Sequence, residues 1–91
     1  MLNVRKDIHS MKPVTLWGYE GSPFVRVVRE MLSQLGLQHV MINCARGSAN
    51  RDKLFEKTGR FQVPYLEDPN TGVNMFESAD IAKYLLATYT V

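Results

Sequence analysis

The chain has 91 residues, 45% of them hydrophobic and 22% charged, with a formal net charge of +2. That length holds one small domain rather than two, and so small a charge excludes nucleic acid as an expected partner. No apolar run approaches the roughly 20 residues that span a bilayer, and the N-terminus "MLNVRKDIHSMKPVTLW" lacks the apolar block of a secretory leader, so the expectation is a cytoplasmic protein with no membrane partner.

Residues 1–12 show no periodicity and read as an N-terminal arm, followed by a domain over 13–91. "PVTLWGY" (13–19) reads as a buried strand, with Val14, Leu16 and Gly18 alternating against Thr15 and Trp17. From Pro23 to Leu35 the residues Phe24, Val27, Val28, Met31, Leu32 and Leu35 recur at helical spacing, and Gly36 supplies the stop. "LQHVMINC" (37–44) is a second strand. "GSANRDKLFEKTG" is a short helix with Ser48 or Asn50 as its cap and Gly59 as its terminator.

"QVPYLED" and "GVNMFES" are two more strands, and the turn residues of "DPNTG" between them predict a hairpin. "SADIAKYLLATY" closes the chain as a helix capped by Ser78, with Ile81, Tyr84 and Leu85 as its apolar stripe. The order is β-α-β-α-β-β-α. The first crossover predicts two parallel strands with a right-handed connection, and the hairpin adds antiparallel ones. The expected fold class is α/β, a small mixed sheet flanked by helices.

Chemistry-bearing residues are few. The single cysteine, Cys44, excludes an internal disulfide, and His9, His39 and Cys44 have no metal-ligand spacing, so no metal is expected. Charge is uneven along the chain: residues 1–60 carry ten Lys/Arg against five Asp/Glu, and residues 61–91 one against four. That is a modest dipole across one domain.

Three stretches in this order resemble one family. "YEGSPFVRVVRE" resembles the strand-to-helix loop of glutathione transferases and glutaredoxins, "FQVPYLEDPNTG" their Val-Pro loop and hairpin, and "FESADIAKYL" their Glu-Ser-x-x-Ile helix start. The resemblance covers residues 13–89 and implies a single thioredoxin-like domain similar to the N-terminal domain of glutathione transferases. It implies glutathione as substrate or ligand. Ser22 stands at the first position of the glutaredoxin Cys-Pro-x-Cys motif and Val25 at the last, so "SPFV" resembles the serine form, in which the hydroxyl favours the glutathione thiolate.

The resemblance also implies that Val63 binds the cysteinyl backbone beside a cis Pro64, and that Glu77 and Ser78 hold the γ-glutamyl end. Phe24 follows as part of the same loop, and Lys53 or Arg60 as the partner of the glycyl carboxylate. The chain stops where a full transferase continues into a helical domain, so no such domain is expected from these residues and turnover stays open. Dimerisation, common through this domain, makes a second copy or another protein an expected partner.

Two readings of Ser22 stand side by side. Serine before proline is a preferred helix cap. A helix start also presents free N–H groups and a partial positive charge that stabilise a thiolate or carboxylate. Pro64 begins an edge strand on one reading. On the other, a cis peptide turns the Val63 backbone toward a peptide ligand. Ser78 is a cap or a carboxylate ligand, and Lys53 and Arg60 belong to a solvated basic face or meet the ligand. Cys44 reads as a small buried residue, or as the nucleophile of a glutaredoxin-like redox protein. A redox-inactive binding module for a peptide or protein completes the alternatives.

Overall fold

Pro23 and Gly36 set the limits of the first helix, α1 (Pro23–Leu35), in the computed structural model, which describes residues 2–91. Gly36 takes the left-handed conformation at φ 69°. The Gly36 N–H donates to Ser33 O at 3.1 Å and the Leu37 N–H to Leu32 O at 3.2 Å, which closes the helix with a Schellman turn.

The buried face of α1 is Val25, Val28, Leu32 and Leu35. Phe24 and Val27, expected in the apolar stripe, are instead 62% and 50% exposed. Val25 takes the inward position because the strand end beneath it has no side chain. A Cβ on Gly18 would stand 2.5 Å from Val25 Cγ2. With Val25 fixed inward, Phe24 is turned about 100° round the helix, toward solvent.

Four strands make one mixed sheet: β1 (Val14–Gly18), β2 (His39–Asn43), β3 (Tyr65–Asp68) and β4 (Val73–Phe76), in the order β2-β1-β3-β4. As predicted, β1 and β2 are parallel, with Val14 opposite His39, and β3 and β4 are an antiparallel hairpin, with Tyr65 opposite Phe76. β1 also pairs antiparallel with β3, Leu16 opposite Leu66. Two further helices, α2 (Ala49–Thr58) and α3 (Ser78–Tyr89), complete the predicted order.

Alternation along the strands splits the core in two. Val14, Leu16 and Leu66 join the inward residues of α1 and α3 (Ile81, Leu85, Tyr89) on one face. Trp17, Cys44, Leu54 and Tyr65 form a smaller cluster on the other. Trp17, on the alternate face of the strand read as buried, packs in this second cluster because α2 covers that face.

Of the segment expected as an arm over 1–12, Met1 lies outside the described residues. The rest crosses the end of α3. Val4 bridges to Thr90, the Arg5 N–H donates to Tyr89 O at 2.9 Å, and the Val91 N–H to Asn3 O at 2.7 Å. A 3-10 turn at Ile8–Ser10 puts Ile8 into the larger core.

The hairpin turn locks onto this segment. Asn70 accepts from the Lys12 N–H and donates to Lys12 O, both at 2.8 Å. Beside it the buried Asp68 carboxylate accepts from the hydroxyls of Tyr84 and Tyr89 and from the Asn70 N–H. Burial, and then those bonds to Asp68, push both tyrosine hydroxyls up from their ordinary pKa.

Candidate functional site

The close approach of Gly18 to Val25 also places the loop between β1 and α1. The chain turns at Tyr19–Ser22, where the Ser22 N–H donates to Tyr19 O at 3.2 Å. Ser22 then caps α1: its extended backbone (φ −81°, ψ 120°) precedes the helix, and its Oγ accepts from the Val25 N–H at 3.3 Å. The residue is only 3% exposed. The cap occupies a lone pair of the hydroxyl and leaves its proton free to donate. Pro23 has no N–H. Among the described residues the Phe24 N–H therefore remains the unpaired donor of this first turn.

The second helix start lies at α3, and here the structure differs from the sequence reading. Glu77, not Ser78, is the cap residue, and its side chain makes no capping bond. Ser78 is the first residue of the helix. Glu77 has φ 73°, a left-handed conformation uncommon for any residue but glycine. The first intrahelical bond runs from the Ile81 N–H to Glu77 O at 2.9 Å, so the N–H groups of Ser78, Ala79 and Asp80 are left to solvent or ligand.

Between these two helix starts lies a cleft of about 190 Å³, lined by Phe24, Gln62, Val63, Pro64, Glu77 and Ser78. The Val63–Pro64 peptide bond is cis, and Pro64 immediately precedes β3. Gln62 went unnoticed in the sequence. Its Nε2 donates to Glu77 Oε1 at 2.6 Å and ties two walls of the cleft together. Only its place beside "VPY" hinted at a role, because Glu77 is fifteen residues away in sequence and meets it through the hairpin.

Five of the eight residues singled out from sequence thus line one cleft: Phe24, Val63, Pro64, Glu77 and Ser78. Three do not. Ser22 is the buried cap of α1 and is not among the residues that line the cleft. Lys53 lies exposed on α2, with no ion pair among the described residues. The Arg60 guanidinium rests 5.1 Å from the centre of the Phe76 ring, a cation–π contact. The nearby Lys57 pairs with Glu67 at 3.0 Å, and that hydrogen bond raises its pKa.

Cys44 is fully buried under α2. Burial pushes its thiol up, outweighing the opposing charge of Arg51, and its Sγ donates to Ile42 O at 3.3 Å. A neutral, enclosed thiol is a poor nucleophile. Among the described residues no group of three or more His, Cys, Asp and Glu could hold a metal ion, and no helix is long and apolar enough to cross a membrane.

Comparison with known proteins gives one consistent family. The family model described as the glutathione S-transferase N-terminal domain matches residues 16–90. The chain is 28% identical over 79 residues to the glutathione S-transferase-like protein tpcF of Aspergillus fumigatus, covering 87% of this chain and 35% of that protein. It is 26% identical over 80 residues to the glutathione S-transferase-like protein OpS6 of Beauveria bassiana, covering 88% and 37%. The chain therefore spans about a third of the length of these relatives.

Among solved structures, a glutathione transferase homologue from Drosophila mojavensis, with glutathione bound, is similar at a TM-score of 0.74 and 28% identity, covering 85% of this chain and 35% of that one. Glutathione transferase E6 of Drosophila melanogaster is similar at 0.72 and 32% identity, covering 84% and 34%.

Proposed function

The chain belongs to the glutathione S-transferase N-terminal domain family, with its thioredoxin-like fold, and on that premise we propose that it binds glutathione in the cleft between the starts of α1 and α3. The observation that carries this reading is the convergence of two helix starts on one cleft whose third wall is an irregular segment, residues 62–64. Helix starts bind anions through free N–H groups and the helix dipole. Glutathione offers an anion for each, a thiolate and the γ-glutamyl carboxylate.

In this reading Ser22 performs two tasks with one hydroxyl. A lone pair keeps the cap, and the proton donates to the glutathione sulfur. Together with the start of α1, that donor lowers a thiol pKa that is otherwise near about 8.5. The backbone of Val63, next to Pro64, pairs with the cysteinyl unit, and Phe24 walls the sulfur's surroundings. Ser78 and the free N–H groups of α3 take the γ-glutamyl carboxylate, while Glu77, steadied by Gln62, faces the ammonium. Lys53 or Arg60 meets the glycyl carboxylate. The activated thiolate is the nucleophile for addition to a small electrophile.

The test is an amide NMR titration with reduced glutathione on the wild type and on Ser22→Gly. Glycine at a cap costs only a few tenths of a kcal/mol, so this substitution removes the hydroxyl with little harm to the helix. Saturable shifts at Phe24, Val63 and Ser78 are expected, with a glutathione thiol pKa lowered by the wild type and less so by the variant. No saturable shifts up to tens of millimolar would overturn the reading.

A further inference from the structure

A second opening, sharing no residue with the cleft, runs along the outer side of α1. It measures about 450 Å³ and is lined by Arg26, Arg29, Glu30, Ser33 and His39. Arg26, Arg29 and Ser33 recur at i, i+3 and i+7, which stacks them on one helical face, and His39 stands across from them at the start of β2.

Glu20, in the loop before Ser22, engages both arginines. Its carboxylate pairs with Arg29, and its backbone O accepts from Arg26 Nε at 3.4 Å. Glu30 is engaged elsewhere, accepting from Gln34 Nε2 at 3.2 Å. After these bonds the terminal N–H groups of Arg26 and the Ser33 hydroxyl have no partner among the described residues.

The donors left over outnumber what a carboxylate can accept. A guanidinium presents five N–H groups in a rigid fork suited to two oxygens at once. The terminal N–H groups of Arg26, the N–H groups of Arg29 that Glu20 does not take, a hydroxyl and an imidazole call for an acceptor with three oxygens. The volume falls within the roughly 300–1,000 Å³ typical of small-molecule sites, far more than one oxyanion fills. We propose that this groove binds a small phosphate monoester, its phosphate held by Arg26 and Arg29 and hydrogen-bonded by Ser33 and His39. Glu20 and Glu30 offset the two arginines in net charge, so recognition rests on directed hydrogen bonds rather than on long-range attraction.

The experiment is an amide NMR titration of the chain with inorganic phosphate at pH 7, against sodium chloride at matched ionic strength, on the wild type, Arg26→Gln and Ser33→Ala. Saturable, phosphate-specific shifts across residues 26–33 and at His39 are expected, weakened about tenfold or more by Arg26→Gln and less by Ser33→Ala. Shifts caused by glutathione at Val63 and Ser78 would remain in both variants, so loss of one site is told apart from loss of the other. Non-saturating shifts, equal shifts with chloride, or binding undiminished in Arg26→Gln would each overturn the proposal.

Discussion

Helix α1 lays four buried apolar side chains on one face of the sheet, whereas α2 covers the other face with Leu54 as its only buried residue. The rest of α2 is held by polar ties. Ser48 Oγ caps it by accepting from the Arg51 N–H at 3.2 Å. Arg51 donates to Cys44 O at 2.8 Å, Asn50 to Asn43 O at 2.9 Å, and Lys57 pairs with Glu67. Each such tie contributes only about 1 kcal/mol net, since water offers the same bond to the open chain. Burial of a leucine contributes about 1.5–3 kcal/mol that water does not replace. The two helices should therefore differ in how readily they open. On the proposed function, the sulfur end of glutathione rests on the firm helix and the glycyl end near the soft one.

The sharpest way to break this comparison is a matched pair of cavities. Leu32→Ala in α1 is expected to cost about 3 kcal/mol of global stability in urea unfolding. Leu54→Ala removes the single apolar anchor of α2, and its effect should concentrate there. Hydrogen exchange should show α2 amides losing protection far more than α1 amides. Equal loss in both helices would mean that the two faces open as one unit.

A smaller effect sharpens the same point. Ser48→Ala deletes the α2 cap and should cost about 1 kcal/mol, again read locally as faster exchange over residues 49–54. Smallest is Lys57→Met, expected to cost about 0.5 kcal/mol at neutral pH, because the lysine is about half exposed although Glu67 is only 21% exposed. Its pH dependence has a definite sign. The Glu67 hydrogen bond raises the Lys57 pKa in the folded state. Its contribution is thus complete below the unfolded value of about 10.4 and is lost as pH rises through the higher folded value. The variant should lack that part of the alkaline loss in a urea-midpoint titration.

Element order and the ends of α1 and α2 were legible because Pro23, Gly36, Ser48 and Gly59 act within a turn of themselves. The inward face of α1 was not. Seven apolar residues from Phe24 to Leu35 form a stripe too wide to choose a centre, and the choice was made by Gly18 across the interface. Strand alternation set Trp17 opposite Val14 and Leu16 but could not reveal α2, the helix that covers this second face. At the cleft, local motifs named Phe24, Val63, Pro64, Glu77 and Ser78. They could not name Gln62, whose partner comes close only through the hairpin, nor the positive φ that makes Glu77 rather than Ser78 the cap.

The bridge between Val4 and Thr90 has a consequence for the order of assembly. It closes nearly the longest loop the described chain can form, and loop-closure entropy grows with the length enclosed. The hairpin and the β1–α1–β2 unit close much shorter loops and can form first. The N-terminal segment then has a finished surface to find: Asn70 waiting for Lys12, and the end of α3 for Arg5. It is a latch that shuts after the frame is built.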